Sequence, residues 1–272
     1  MKFKSIFVLL NLTLTVFLAI LVSLPFLIMS APFTGPFWQS NWPFVIFLAL
    51  ILLVCNVFYF TNRRLFLLLE KEDWPALVRY LEDKVIQRGR YSPRLVRLLA
   101  NSYLVLSDSA AVMNLENKTA VAKPALVDAN ALLFGTARIL GKDISGAVRF
   151  FAVRKDTTKG ELKEWMCWYH GFALLLDRQF EKAADDFSLL AQVSQDGIIV
   201  GLSSYFLNST ITGALPEKEA EFRDLSVHGR ERVLKALPQL KDWDRESSRL
   251  SAEIYGAVLS KYMNEAGYWL YI

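Results

Sequence analysis

The chain has 272 residues, 53% of them hydrophobic and 21% charged, with a formal net charge of +4. The charge excess is too small to mark a nucleic-acid binder, and two cysteines, Cys55 and Cys167, do not make a disulfide framework. The charges are unevenly spread: residues 1–61 hold only Lys2 and Lys4, and residues 62–272 hold 29 Lys and Arg against 27 Asp and Glu. A membrane segment followed by a separate domain is the organisation this predicts.

Ser5 to Met29 runs 25 residues without a charge and Trp42 to Phe60 runs 19, close to the ~20 residues that cross the hydrocarbon. Residues 1–61 therefore read as a transmembrane hairpin with spans at about 5–29 and 42–60. A cleaved signal peptide is the competing account of the first run, but the run exceeds the ~7–15 residues of a signal core. Lys2 and Lys4 precede the first span, Arg63 and Arg64 follow the second, and the link between them has no Lys or Arg. The positive-inside rule then places both termini in the cytoplasm of a multi-pass protein of the inner (plasma) membrane. The link, residues 30–41, reads as an external turn whose Phe33, Phe37 and Trp38, with Trp42, suit the interface. Asn11 and Asn56 fall at similar depth on antiparallel spans, where a mutual hydrogen bond would pin the hairpin.

No Gly or Pro occurs between Pro43 and Pro75, so the second helix is expected to continue past the membrane through Asn62 and Arg64 toward the next domain and to hold it stiffly. Beyond it, residues 62–272 show a period. The segments EKEDWPALVRYL, LGKDISGAVRFF, LDRQFEKAADDF and PEKEAEF align Leu77, Ala147, Ala183 and Ala220, with Ala111 as a weaker member, at spacings of 34, 36, 36 and 37 residues. Each charged turn follows an apolar stretch of helical pattern, and Gly135 and Gly171 each stand twelve residues before an aligned alanine. Helix, turn, helix, repeated in this way, is the signature of a solenoid.

The unit around Ala183 resembles a tetratricopeptide repeat through Gly171, Leu174, Phe180, Ala183 and Phe187, and departs from that pattern at Cys167, His170 and Gln195. The resemblance covers residues 65 to about 225. Together with the two uncharged runs it gives an expected all-α fold: two transmembrane helices, then a tetratricopeptide-like α-solenoid of about five helical hairpins with a C-terminal capping helix. It also implies that first helices line a concave surface, which would present Trp165, Trp168 and Phe172, with Tyr103 and Tyr205, to a helix or apolar peptide of a protein partner. Part of this aromatic set would instead fill the core between repeats. The tail Tyr268 to Tyr271 reads either as part of the cap or as a docking element.

Lys84, Arg88, Arg90, Arg94 and Arg97 fall in a stretch without acids, which reads as a surface facing anionic lipid or as an ordinary solvated helix face. Catalytic signals are sparse. The two histidines, His170 and His228, belong to no metal motif, and GTARILGKD has one residue too many between its glycines for a phosphate loop. His170 reads as a packed structural histidine, and the adjacent Asp185 and Asp186 as solvated. The function expected is therefore not enzymatic and uses no cofactor, metal or nucleic acid. It is that of a membrane-anchored scaffold or adaptor, the alternative being a subunit of a membrane enzyme or transport complex. Reporters attached at Gly35 and Ile272 should report opposite sides of the membrane, and reporting the same side would overturn the two-span reading.

Overall fold

The computed structural model describes residues 3–28, 31–158 and 160–272. Every regular element among them is helical, so the protein is all-α. Two compact units divide after Tyr80, Met1–Tyr80 and Leu81–Ile272.

The first unit contains α1 (Phe3–Ile28) and α2 (Ala31–Glu70), both long and apolar enough to cross a membrane. They pack against each other, and the expected amide pair is present. Asn56 Nδ2 donates to Asn11 Oδ1 at 2.6 Å and to the Leu52 carbonyl at 2.8 Å, so both of its N–H groups are used. Phe7 stacks on Tyr59 with ring centroids 3.7 Å apart. The segment read as an external turn differs: α2 already begins at Ala31, with Pro36 and Pro43 inside it. The continuous helix satisfies the backbone polar groups of this segment internally, which an open turn would not. Met29 and Ser30, like Lys2, lie outside the described residues. At 40 residues α2 is about 60 Å long, twice the ~30 Å hydrocarbon, and it does continue unbroken past Arg64. It ends at Glu70 and is followed by α3 (Trp74–Glu82).

The second unit continues with α4 (Pro93–Val105), α5 (Ser109–Ala122), α6 (Ala125–Ala129), α7 (Ala131–Leu140), α8 (Ile144–Thr157), α9 (Glu161–Leu176), α10 (Phe180–Val193) and α11 (Gly197–Phe206). It closes with α12 (Thr212–Ala214), α13 (Glu219–Ala236), α14 (Leu240–Ser251), α15 (Ile254–Ala257) and α16 (Ser260–Tyr271). Helices pack on their chain neighbours in the order α4, α5, α7, α8, α9, α10, α11, α13. The first helices of successive pairs also touch: α4 meets α7, α7 meets α9, and α9 meets α11.

One turn recurs within this order. Among the described residues the non-glycine positions with positive φ are Glu72 (53°), Ser107 (58°), Lys142 (62°) and Arg178 (61°), spaced 35, 35 and 36 residues apart. Each sits at the left-handed position of a Schellman motif, and the next residue donates its N–H five residues back, as Asp108 does to Tyr103 and Asp143 to Arg138, both at 2.9 Å. In three of the four turns that next residue is an aspartate capping the following helix: Asp73 accepts from Ala76 N, Asp108 from Ala111 N and Asp143 from Gly146 N. Counting from the turns corrects the alignment. The buried partner of Ala147 and Ala183 in the weak unit is Val112, fully buried, rather than the half-buried Ala111. Ala220 is exposed and outside the pattern, because α11 runs on into a π-turn at Leu207–Ile211 in place of the Schellman turn. Close approach of α11 and α13 comes instead at Gly229, where an added Cβ would lie 2.0 Å from Ser204 Oγ. Arg232 of α13 donates to the carbonyls of Ala191, Gln192 and Ser194, satisfying the end of α10.

Small residues set the spacing between helices. A Cβ on Gly135 would lie 2.1 Å from Phe151 Cζ, and one on Gly171 would lie 3.1 Å from Phe187 Cε1. Both phenylalanines are fully buried, so each ring occupies the space a side chain at the glycine would need. At the C-terminal end Trp243 of α14 plays the same part twice. It lies against Gly201 of α11 and Gly267 of α16, and its Nε1 donates to the Met263 carbonyl at 3.0 Å. The tail itself contacts its own chain: Tyr271 donates to the Leu237 carbonyl at 2.5 Å, and the Leu270 carbonyl accepts from Arg230 at 2.8 Å. Gly135→Ala, which forces the Phe151 ring aside, should cost about 1–3 kcal/mol, or roughly 2–4 °C of melting temperature per kcal/mol. Gly171→Ala should cost less, because its contact needs only a small shift. Thermal unfolding of the full chain in detergent checks the order, and equal melting temperatures for the two variants would contradict the packing.

Candidate functional site

The aromatic set expected to line a binding surface is largely interior. Trp168 is 0% exposed, Phe172 2% and Tyr103 5%. Trp168 stacks on Phe172 at 5.3 Å and meets Phe187 and Phe206, each 5.9 Å away between ring centroids. Tyr262 of α16 closes over Phe172 and Phe206 at 5.5 and 5.2 Å. Tyr205, half-buried, donates to Glu265 Oε2 of α16 at 3.0 Å and contacts Trp269. Tyr103 donates to Glu82 Oε1 at 2.6 Å, and burial together with that carboxylate pushes its pKa well above the usual phenol value. Trp168 and Phe172 are thus not anchors for a partner in this structure. The face they form is apolar, and removing it from water is what holds α16 in place.

Trp165, 8% exposed, keeps a place on the wall of an open cleft of about 780 Å³. Leu132 of α7, Glu164 and Trp165 of α9, Ile198 of α11 and Leu250 of α14 define its walls. A recess of about 90 Å³ shares Leu132, Leu162, Glu253 and Tyr255 with it and extends to Arg97, Asn101 and Asn130. First helices of three successive pairs therefore meet the C-terminal segment here, and Tyr169 reinforces the arrangement by donating its hydroxyl to the Tyr255 carbonyl. Of the basic stretch, Arg88, Arg90, Arg94 and Arg97 are exposed and Lys84 is half-buried. Arg88 pairs with Asp83 at 2.8 Å, and Arg97 is the member that reaches the recess.

A second constellation was not legible as such. Asp186, expected in solvent with Asp185, is buried, while Asp185 is exposed. Neighbours on a helix point about 100° apart, and here the split puts one carboxylate inside. Lys155 of α8 donates to Asp186 Oδ1 at 2.8 Å, His170 of α9 donates from Nδ1 to Oδ2, and Cys167 lies 3.6 Å from Oδ1. Burial pushes the Asp186 carboxyl pKa up, but the hydrogen bonds from His170 and Lys155 outweigh it and hold the group below its ordinary value. Burial and the Asp186 charge push the Cys167 thiol up to about 12. The thiol faces the carboxylate rather than the imidazole and stays neutral, the reverse of what an activated nucleophile needs. The cluster is a polar tie across three helices, and His170 is the packed histidine expected, though with an acid partner that the sequence reading did not give it.

The sequence profile of a family described as uncharacterised Treponema protein matches residues 111–272. An uncharacterised protein of Treponema pallidum (strain Nichols) is 30% identical over 281 aligned positions, which cover all of this chain and 88% of that protein. No solved structure matches.

Removing one member of a buried ion pair costs about 3–5 kcal/mol, so Asp186→Ala should lower stability by that order at pH 7. Because the folded carboxyl titrates below its ordinary 3.8, its contribution is complete above that value and fades as pH falls through the lower folded value. The difference between wild type and Asp186→Asn in urea midpoint should therefore narrow between pH 5 and pH 2. A constant difference would remove the charge from the explanation.

Proposed function

This chain belongs to the Treponema family matched above, and we propose that it is a membrane-anchored scaffold or adaptor that holds a partner protein in the cleft beside Trp165. The observation that carries the reading is the cleft itself: Leu132, Trp165 and Ile198 come from the first helices of three successive pairs, and α14 supplies the opposite wall. Stacked helix pairs that leave a groove along their first helices suit peptide or helix docking. The tetratricopeptide-like reading gains support from the recurring turn and from glycines facing Phe151 and Phe187.

The anchoring part of the proposal rests on α1 and α2. Lys4 and the Arg63–Arg64 pair at the outer ends of the apolar runs favour an inner-membrane hairpin with the helical domain in the cytoplasm. The partner surface proposed here is narrower than the aromatic set read from sequence. Trp165 remains in it, and Trp168, Phe172, Tyr103 and Tyr205 serve the interior and the α16 dock.

A photo-crosslinking residue placed at Leu250, on the wall facing Trp165, should yield a discrete protein adduct in cells, and the same probe at exposed Val153 of α8 should not. Equal adduct patterns at the two positions, or none at Leu250, would count against the cleft as the docking surface.

A further inference from the structure

We propose that the cleft selects a partner segment bearing an arginine or lysine side chain beside an apolar residue, an inference that rests on the docking role proposed above. The first observation is charge. Glu164, Asp196, Glu246 and Glu253 line the cleft, against Arg249 as its basic residue. Three of these carboxylates have work inside the fold. Glu164 accepts from Ser194 Oγ at 2.5 Å, Asp196 caps α11 through Ile198 N at 2.8 Å, and Glu246 lies 3.5 Å from Arg249 and 3.6 Å from Arg245. Among the described residues no side chain hydrogen-bonds to Glu253, which stands where the cleft and the recess join. Carboxylates grouped in a partly enclosed space raise the local concentration of cationic groups.

The second observation is independent of charge. Asn130 is 3% exposed, and its Nδ2 donates to the Leu126 carbonyl at 2.8 Å, which fixes the orientation of the amide. Its Oδ1, and that of Asn101, are buried acceptors to which nothing among the described residues donates. Both residues line the recess. A buried acceptor left without a donor is costly, and a ligand that brings N–H groups removes the cost. Ammonium and guanidinium are pure donors, whereas a carboxylate or phosphate would add acceptors to acceptors. The recess, at about 90 Å³, has room for such a head group, since a single water needs ~10–15 Å³. Within the recess Glu253 faces Arg97 one for one, and the excess of carboxylates over Arg97 and Arg249 comes from the cleft that opens beside it. Trp165, Leu132 and Leu250 on the adjoining wall supply the surface for an apolar neighbour in the segment.

The test uses the full chain in a neutral detergent and two fluorescent heptapeptides with blocked ends, one alternating leucine with arginine and the other leucine with glutamate. Fluorescence anisotropy should show the arginine peptide binding at least tenfold tighter than the glutamate peptide. The double variant Glu246→Gln with Glu253→Gln should lose at least tenfold for the arginine peptide, with its melting temperature showing that the fold is kept. Asn130→Leu should weaken the same peptide without altering the salt dependence of binding. Equal binding of both peptides, still displaced by Leu250→Asp, would overturn the charge selection while leaving the docking role standing. Binding that survives every cleft substitution, or that spermidine displaces as readily as the arginine peptide does, would overturn the proposal as general ion attraction. No binding of either peptide, together with no adduct at Leu250, would sink both.

Discussion

Helix pairs in this protein can approach as closely as they do only where a side chain is missing. Gly135 and Gly171 leave room for the rings of Phe151 and Phe187, and Gly201 and Gly267 leave room on two helices for the single ring system of Trp243. Each of these aromatics is fully or almost fully buried. Interior packing has little slack, so a ring that fits a missing Cβ fixes the distance and register of two helices together. Everything positioned by those helices inherits that register, including the turn that joins them, the polar groups that face across them and the walls of the cleft.

Polar pairing then acts within a geometry set by packing. The Asn11–Asn56 bond in the first unit joins the amides of two otherwise apolar helices to each other. In the second unit Asp186 draws Lys155 and His170 onto one carboxylate, and Arg138 pairs with Glu116 at 2.5 Å while its guanidinium lies 4.4 Å from the Phe150 ring. Such pairs add little net stability compared with apolar replacements, yet losing one partner leaves a buried charge alone. Their effect is to penalise alternative helix registers.

Two faces of the second unit have different fates for the same physical reason. The face built from Trp168, Phe172 and Phe206 is apolar, and Tyr262 and its helix cover it. The neighbouring cleft mixes Trp165 and leucines with carboxylates, and the recess beside it adds the amides of Asn101 and Asn130, so the chain's own apolar tail gains little by filling them. The proposed partner, bringing N–H donors, would meet those acceptors.

Much of this was legible in the residues. The uncharged runs read directly as two helices, because a helix is the arrangement in which one such run satisfies its backbone within itself. The pairing of Asn11 with Asn56 followed from depth alone, and the glycine to alanine spacing pointed to close helix pairs. The aspartates at 73, 108 and 143 carried the turn period more accurately than the small residues did, since a cap is tied to its turn by local hydrogen bonds. What sequence could not decide is which face of a helix its neighbours cover. Whether Trp168 lies inside or in a groove, whether Asp186 or Asp185 is the buried acid, and that Trp243 reaches Gly201 and Gly267 depend on where α14 and α16 return. Local pattern fixes the period of a helix and the chemistry of its turns, whereas burial is a property of distant segments meeting, and only the tertiary structure brings them together.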